Sequence, residues 1–373
     1  MARPRPGRRE RGVRRQVAAR PCRARAGRPR RHRLRARPAA CRPPRSRCRL
    51  PPGHAALPGR LKAARVGAET SWLAARCAVG RFDVVHHAGG VVPPLAPARR
   101  VLTVHDTQPL DLPENFSATK RCWLGAMLPW SARRAEVVVS STAWVLESVV
   151  ARCGTDPART AQVPPCFAPP PLPPSVEAVA ATKARYGIGG PFVVHPAITY
   201  AHKNHLVLLD AVGRVPGLHV VLTGGAAGNE AAVARRAGEP DLAGRVHRLG
   251  RVPRADLDAL LSGAVALAFP SRYEGFGVPV LEAMALGCPV VAADATALPE
   301  VVGGAGLLVG PDDVLGWADA LAGLAVDPAS RQRLAATGRA RAASFDPRRT
   351  AGALAEAYHR AAGDAPSTEG RTR

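Results

Sequence analysis

Two carboxylates, Glu274 and Glu282, stand eight residues apart in a stretch that alternates apolar runs with glycine, AVALAFPSRYEGFGVPVLEAMALGCPVVAADATALPEVVGGAGLLVG over residues 264–310. Gly275 and Gly277 flank Phe276, and residues without a Cβ let a ligand approach the main chain closely. A helix expected to carry Pro279 in its first turn would leave its leading amides free, and such amides bind anions. Glu282 alone could serve only to complement the helix terminus. An acid on each side of an anion site instead suits a ligand with phosphates in its middle and hydroxyls at both ends. A nucleotide sugar has that form. Lys203, at the start of a helix further upstream, is placed to meet a diphosphate.

The elements that position these groups are legible in the hydrophobic pattern. Residues 264–269 have the length and composition of a buried strand, and residues 289–293 repeat it. Strand, glycine loop, helix and strand make one unit of a parallel sheet. Further strands are expected at 192–194, 219–222 and 246–249, with helices near 176–186, 317–324 and 331–343. Upstream, residues 82–87, 101–104 and 136–140 read as strands of a second sheet. Two of these end in His86-His87 and His105-Asp106, and parallel sheets gather ligand groups beyond the carboxyl ends of their strands. Ser141-Thr142 is suited to cap a helix. Residues 118–134 predict a helix broken at Pro129, with Trp123 and Trp130 as either core or contact residues. The proline-dense run VPPCFAPPPLPP separates the two halves as a semi-rigid linker.

Glu-x7-Glu within EGFGVPVLEAMALGCPVVA, followed by LPEVVGGAGLLV, resembles the donor-site signature of the retaining glycosyltransferases of family 4. VLTVHDTQPLDLPENFS resembles a second segment of that family. The resemblance implies an α/β GT-B architecture, two Rossmann-like parallel-sheet domains facing a cleft. It assigns 56–163 to an acceptor-side domain, 164–175 to the linker, 176–345 to a nucleotide-sugar-binding domain and 346–373 to a crossover helix and tail. It also implies a catalytic set of His105, Lys203 and Glu274. The amides of Gly275, Phe276 and Gly277 would face sugar and diphosphate, Glu282 would hold the ribose, and Val252 and Arg254 would lie at the base. Family members usually carry an arginine five or six residues before the lysine. Ile198 and Ala197 occupy those positions here, leaving His202 or His205 to substitute in part.

By the same resemblance the reaction is hexosyl transfer with retention, mannose being one candidate. The donor would be GDP-mannose or a UDP-sugar, the acceptor a glycan or lipid-linked molecule. No cofactor is expected beyond that donor, and no metal. Two other readings stay open: a sugar-nucleotide epimerase or phosphorylase of the same fold, and a protein that binds nucleotide without turnover because its opening glycine loop is missing.

The formal net charge of +25 invites a nucleic-acid reading, but the charge is local. Residues 1–60 hold 21 Arg, one Glu and no Lys or Asp, which leaves +5 for the remainder. Residues 1–55 also lack Ile, Phe, Tyr, Trp, Asp, Asn and Thr. Such a segment cannot bury a core, and disorder is expected; without aromatics to stack on bases, no specific nucleic-acid partner is expected either. Its composition is that of GC-rich DNA read out of frame. We therefore expect a frame error or wrong start to have replaced the native opening strand and glycine loop, with recovery near Leu57-Pro58-Gly59. The eight cysteines include no C-x-x-C pair, which predicts reduced thiols in a cytoplasmic protein. Peripheral contact with an anionic membrane at its inner face is compatible with that location.

Overall fold

The computed structural model describes residues 82–93, 99–167 and 173–363. The Arg-rich segment 1–55, the expected missing first strand and part of the linker lie outside the described residues. The described chain forms two all-parallel sheets with helices around them.

The first sheet runs β1 (Val84–His87), β2 (Arg99–Thr103), β3 (Val137–Ser140) and β4 (Thr160–Gln162), in that spatial order. Its middle strands are apolar because both faces are covered: Val101, Leu102, Val137, Val138 and Val139 are all buried. α1 (Ala118–Arg134) packs on this domain without a break at Pro129. A proline in a helix interior removes one ladder bond and crowds the preceding turn, but Leu128, Ser131 and Ala132 on either side of it are buried, and tertiary packing overrides the local preference. Trp130 packs against the core while Trp123 stays exposed.

The second sheet has the order β10 (Leu307–Val309), β9 (Val290–Ala293), β8 (Ala266–Phe269), β5 (Phe192–Pro196), β6 (His219–Thr223) and β7 (Val246–Gly250). In terms of chain order within the domain this is 6-5-4-1-2-3, the doubly wound arrangement of dinucleotide-binding folds. β5 pairs with both β6 and β8, through Val193 to Val220 and to Ala266. The chain therefore reverses its direction of travel between β5 and β8. Right-handed crossovers then put α2 (His205–Gly213) and α3 (Glu230–Ala237) on one face. They put α4 (Arg254–Gly263) and α5 (Val278–Ala285) on the other. At the reversal the loops after β5 and β8 splay to opposite faces and open a crevice between them.

The last helix, α6 (Pro347–Ala362), returns from the second domain to the first sheet. Ala357 and Ala361 are buried against Val101, Val137 and Val139, and Tyr358 Oη lies 2.9 Å from His86 Nδ1. Small residues at i and i+4 share one helix face and allow close approach to the strands. Cys122, Cys153, Cys166 and Cys288 are free thiols, and burial pushes the Cys288 thiol up to about 12.

Candidate functional site

Lys203 and Glu274 come from the loops after β5 and β8, one on each side of the crevice. Lys203 Nζ lies 2.5 Å from Glu274 Oε1, with side chains one-fifth exposed or less. Lys203 ends the 3₁₀ turn Ala201–Lys203 and precedes Asn204, whose left-handed φ of 59° turns the chain into α2. The Glu274 amide donates to Thr296 Oγ1 at 3.1 Å. Thr296 itself has a φ of 53°, unusual for a β-branched residue, and this backbone places its hydroxyl under the loop.

The glycines do what their lack of a side chain allows. Gly277 caps α5 with a φ of 96°, in a region disfavoured for other residues. Gly275 packs against the first domain so closely that a Cβ would sit 2.0 Å from the His105 carbonyl oxygen. Among the described residues, the amides of Gly275, Phe276 and Gly277 donate to no protein group. All three residues line a cavity at the start of α5, where amides without a protein acceptor and a positive helix terminus favour an anion.

From the first domain, His105 follows β2, and its Nε2 donates to Ala88 O at 2.9 Å. His105 and Asp106 line one wall of a cavity of about 560 Å³; Glu274, Gly275, Phe276 and Gly277 line the other. His105, Glu274 and the glycine loop thus meet, and Lys203 joins them through Glu274. Glu282 lies in the second turn of α5, outside this lining. It forms an ion pair with Arg254, whose Nε also bonds Asp258 at 2.8 Å. Val252 precedes Arg254 in the loop from β7 to α4. The expected residues therefore fall into two groups bridged by the start of α5: reacting-centre candidates at the cavity, and Val252, Arg254 and Glu282 along the helix.

His202 and His205 do not supply the second positive charge that the sequence suggested. Burial, together with the Lys203 charge, pushes His202 down to about 4, and burial does the same to His205. His205 is wholly buried and packs edge-on against His195, ring centres 4.5 Å apart. Both rings are neutral at physiological pH. In the unfolded chain they titrate near 6.5. Above that pH neither state is protonated and stability is full. As pH falls from 6.5 toward 4, the unfolded chain takes up protons that the folded chain refuses. Stability should then drop by about 1.4 kcal/mol per pH unit for each histidine. Urea midpoints should decline steadily below neutral pH; a midpoint constant down to about pH 5 would contradict the assignment.

Three contacts across the cleft had no counterpart in the sequence reading. Tyr273 is buried, its hydroxyl 2.7 Å from Asp111 Oδ2 and 3.1 Å from Thr107 Oγ1. Burial and the Asp111 carboxylate raise its pKa, so the phenol stays protonated and donates. Thr142 Oγ1 donates to Gly275 O at 3.0 Å. Glu300, from the LPEVVGG run, accepts from the Ala143 and Trp144 amides at the start of the helix Ala143–Cys153. Its place in LPE is the one signal that could have marked it, since an acid suits a helix N-terminus, but nothing local names the helix it caps.

Residues 191–327 match the family model described as Glycosyl transferases group 1. The chain is 54% identical over 71 residues to the O-antigen chain mannosyltransferase B of Escherichia coli, 19% of each chain. It is 40% identical over 162 residues to the D-inositol 3-phosphate glycosyltransferase of Mycolicibacterium paratuberculosis, 42% of this chain and 37% of that one. The matches thus span about a fifth and under two fifths of these relatives' lengths. HepE of Anabaena, solved in complex with UDP and glucose, superposes with a TM-score of 0.68 at 21% identity, covering 79% of this chain and 82% of that one. No helix of the described residues is long and apolar enough to cross a membrane. Residues 191–327, with the glycine loop and both acids, belong to the Glycosyl transferases group 1 family, on a chain with the GT-B fold.

Proposed function

We propose that this protein transfers a hexose from a nucleotide sugar to a glycan or lipid-linked acceptor with retention of configuration, mannose being one candidate. The observation that carries the reading is the meeting of Lys203, Glu274 and the free amides of Gly275–Gly277 at the reversal point of the second sheet, opposite His105. The similarity to a mannosyltransferase and an inositol phosphate glycosyltransferase favours sugar transfer over epimerisation.

In this reading the donor diphosphate lies against the amides and Lys203. Fixed donors aimed at developing negative charge stabilise a leaving group without reorganising, so the proposal requires no metal. Glu282 would hold the ribose, with the base near Val252 and Arg254. The bond from the sugar anomeric carbon to the diphosphate breaks, and a bond to the acceptor oxygen forms on the same face. The acceptor proton passes to a donor phosphate oxygen. Glu274 and His105 position sugar and acceptor hydroxyls. A cytoplasmic site, with peripheral contact to an anionic membrane, would suit a lipid-linked acceptor; Trp123 is the exposed aromatic on α1.

The experiment is a thermal melt of the full chain with UDP and with GDP, followed by product analysis with UDP-sugars and GDP-mannose. A nucleotide at a hundred times its dissociation constant should add about 2.7 kcal/mol of stability. Failure of both nucleotides to raise the melting temperature would remove the proposal, whereas an epimerised donor among the products would favour the rival.

A further inference from the structure

We infer that His195 is a positioning residue that fixes Lys203 for diphosphate binding. The inference rests on the reading of Lys203 given above. β5 is the central strand of the second sheet, and its residues Phe192 to His195 are wholly buried. Three of the four are apolar, as a doubly covered strand requires; the fourth is an imidazole. Its Nε2 lies 3.1 Å from the main-chain oxygen of Lys203. A carbonyl only accepts, so Nε2 carries the hydrogen. Burial and the neighbouring charge of Lys203 hold the ring pKa far below the usual value, and the donor form persists throughout the physiological range.

The same ring packs edge-on against Phe269, centre to centre 5.9 Å, at the end of β8. Lys203 Nζ lies over that phenyl ring, 5.9 Å from its centre. His195 therefore binds the main chain of Lys203 and supports the aromatic surface beneath its ammonium. On the far side of the turn, Asn204 donates from Nδ2 to Pro311 O at 2.6 Å. Lys203 sits in a short 3₁₀ turn followed by a left-handed residue, outside the regular ladder of α2. These side-chain bonds fix the turn: His195 holds the main chain of Lys203, while Glu274 holds its ammonium.

The test compares wild type, His195→Phe, His195→Gln, Lys203→Ala and the double variant His195→Phe/Lys203→Ala. Affinities for UDP, GDP, uridine and guanosine are measured by ligand-observed NMR. Loss of one hydrogen bond should weaken binding of the preferred diphosphate about five- to tenfold in His195→Phe, with nucleoside binding unchanged. His195→Gln, which retains a donor at a similar reach, should restore most of the affinity. In the Lys203→Ala background His195→Phe should add no further loss, because a residue acting through another shows full coupling in a double-mutant cycle. Unchanged diphosphate affinity in His195→Phe, or a loss that adds in full to that of Lys203→Ala, overturns the inference. Wild-type diphosphate affinity in Lys203→Ala overturns the underlying reading and the inference with it. Should His195→Phe not fold, His195→Met also lacks the donor and takes its place.

Discussion

Lys203→Ala is expected to slow transfer from a nucleotide sugar about 10²- to 10³-fold, the range seen when one charge-stabilising donor is removed from a reacting centre. Glu274→Gln should also impair transfer, yet it should change diphosphate affinity in the opposite direction. In the structure the ammonium of Lys203 is already held by Glu274 at 2.5 Å. A diphosphate must displace that carboxylate or share the lysine with it, and a second negative charge this close opposes the ligand. Replacing Glu274 by Gln removes the competitor and the repulsion while keeping the shape. UDP or GDP should then bind several-fold more tightly to Glu274→Gln, whereas Lys203→Ala binds them more weakly. Calorimetric titration of both variants, with initial rates under saturating donor, separates the two effects. If Glu274→Gln weakens diphosphate binding as much as Lys203→Ala does, the pair does not act as a competing contact.

Gly275→Ala should lower transfer by about 10²-fold or more, the scale of a misplacement near 1 Å at a reacting centre. The added methyl would stand 2.0 Å from the His105 carbonyl oxygen and 3.0 Å from Asp106 Cβ. The first of these is main chain and cannot rotate away, so the loops of the two domains must separate. That separation also lengthens the Thr142 hydroxyl bond to Gly275 O, now 3.0 Å, and moves His105 away from Glu274. Overpacking of this kind costs about 1–3 kcal/mol, visible as a lower melting temperature. Diphosphate affinity should fall less than turnover, because Lys203 and the glycine-loop amides belong to the same domain and move together, whereas His105 does not. A Gly275→Ala protein with wild-type turnover would mean that the close approach of His105 and the glycine loop is not required for the reaction.

The residues that do chemistry were legible because their signals are local. Glycine at 275 and 277, proline at 279 and the apolar runs around them spell out strand, loop and helix whatever the rest of the chain does. The acids Glu274 and Glu282 stand out against that background. The order of the second sheet was implied by resemblance and follows from right-handed crossovers once strand pairing is known. Pro129 misled because a local helix breaker was weighed without the burial of Leu128, Ser131 and Ala132 around it, which packing alone reveals.

What only the tertiary structure decided are relations between residues far apart in the chain. Lys203 and Glu274 are 71 positions apart, Tyr273 and Asp111 are 162 apart, and Glu300 caps a helix 157 residues upstream. No periodicity encodes such pairings, because they depend on which loops the sheets bring to a common edge. The histidines show the same limit from the side of electrostatics. His202 and His205 read as cations beside a lysine in the sequence, yet burial makes both neutral. Side-chain type and spacing set which groups are available; desolvation and long-range packing set which of them are charged and which of them touch.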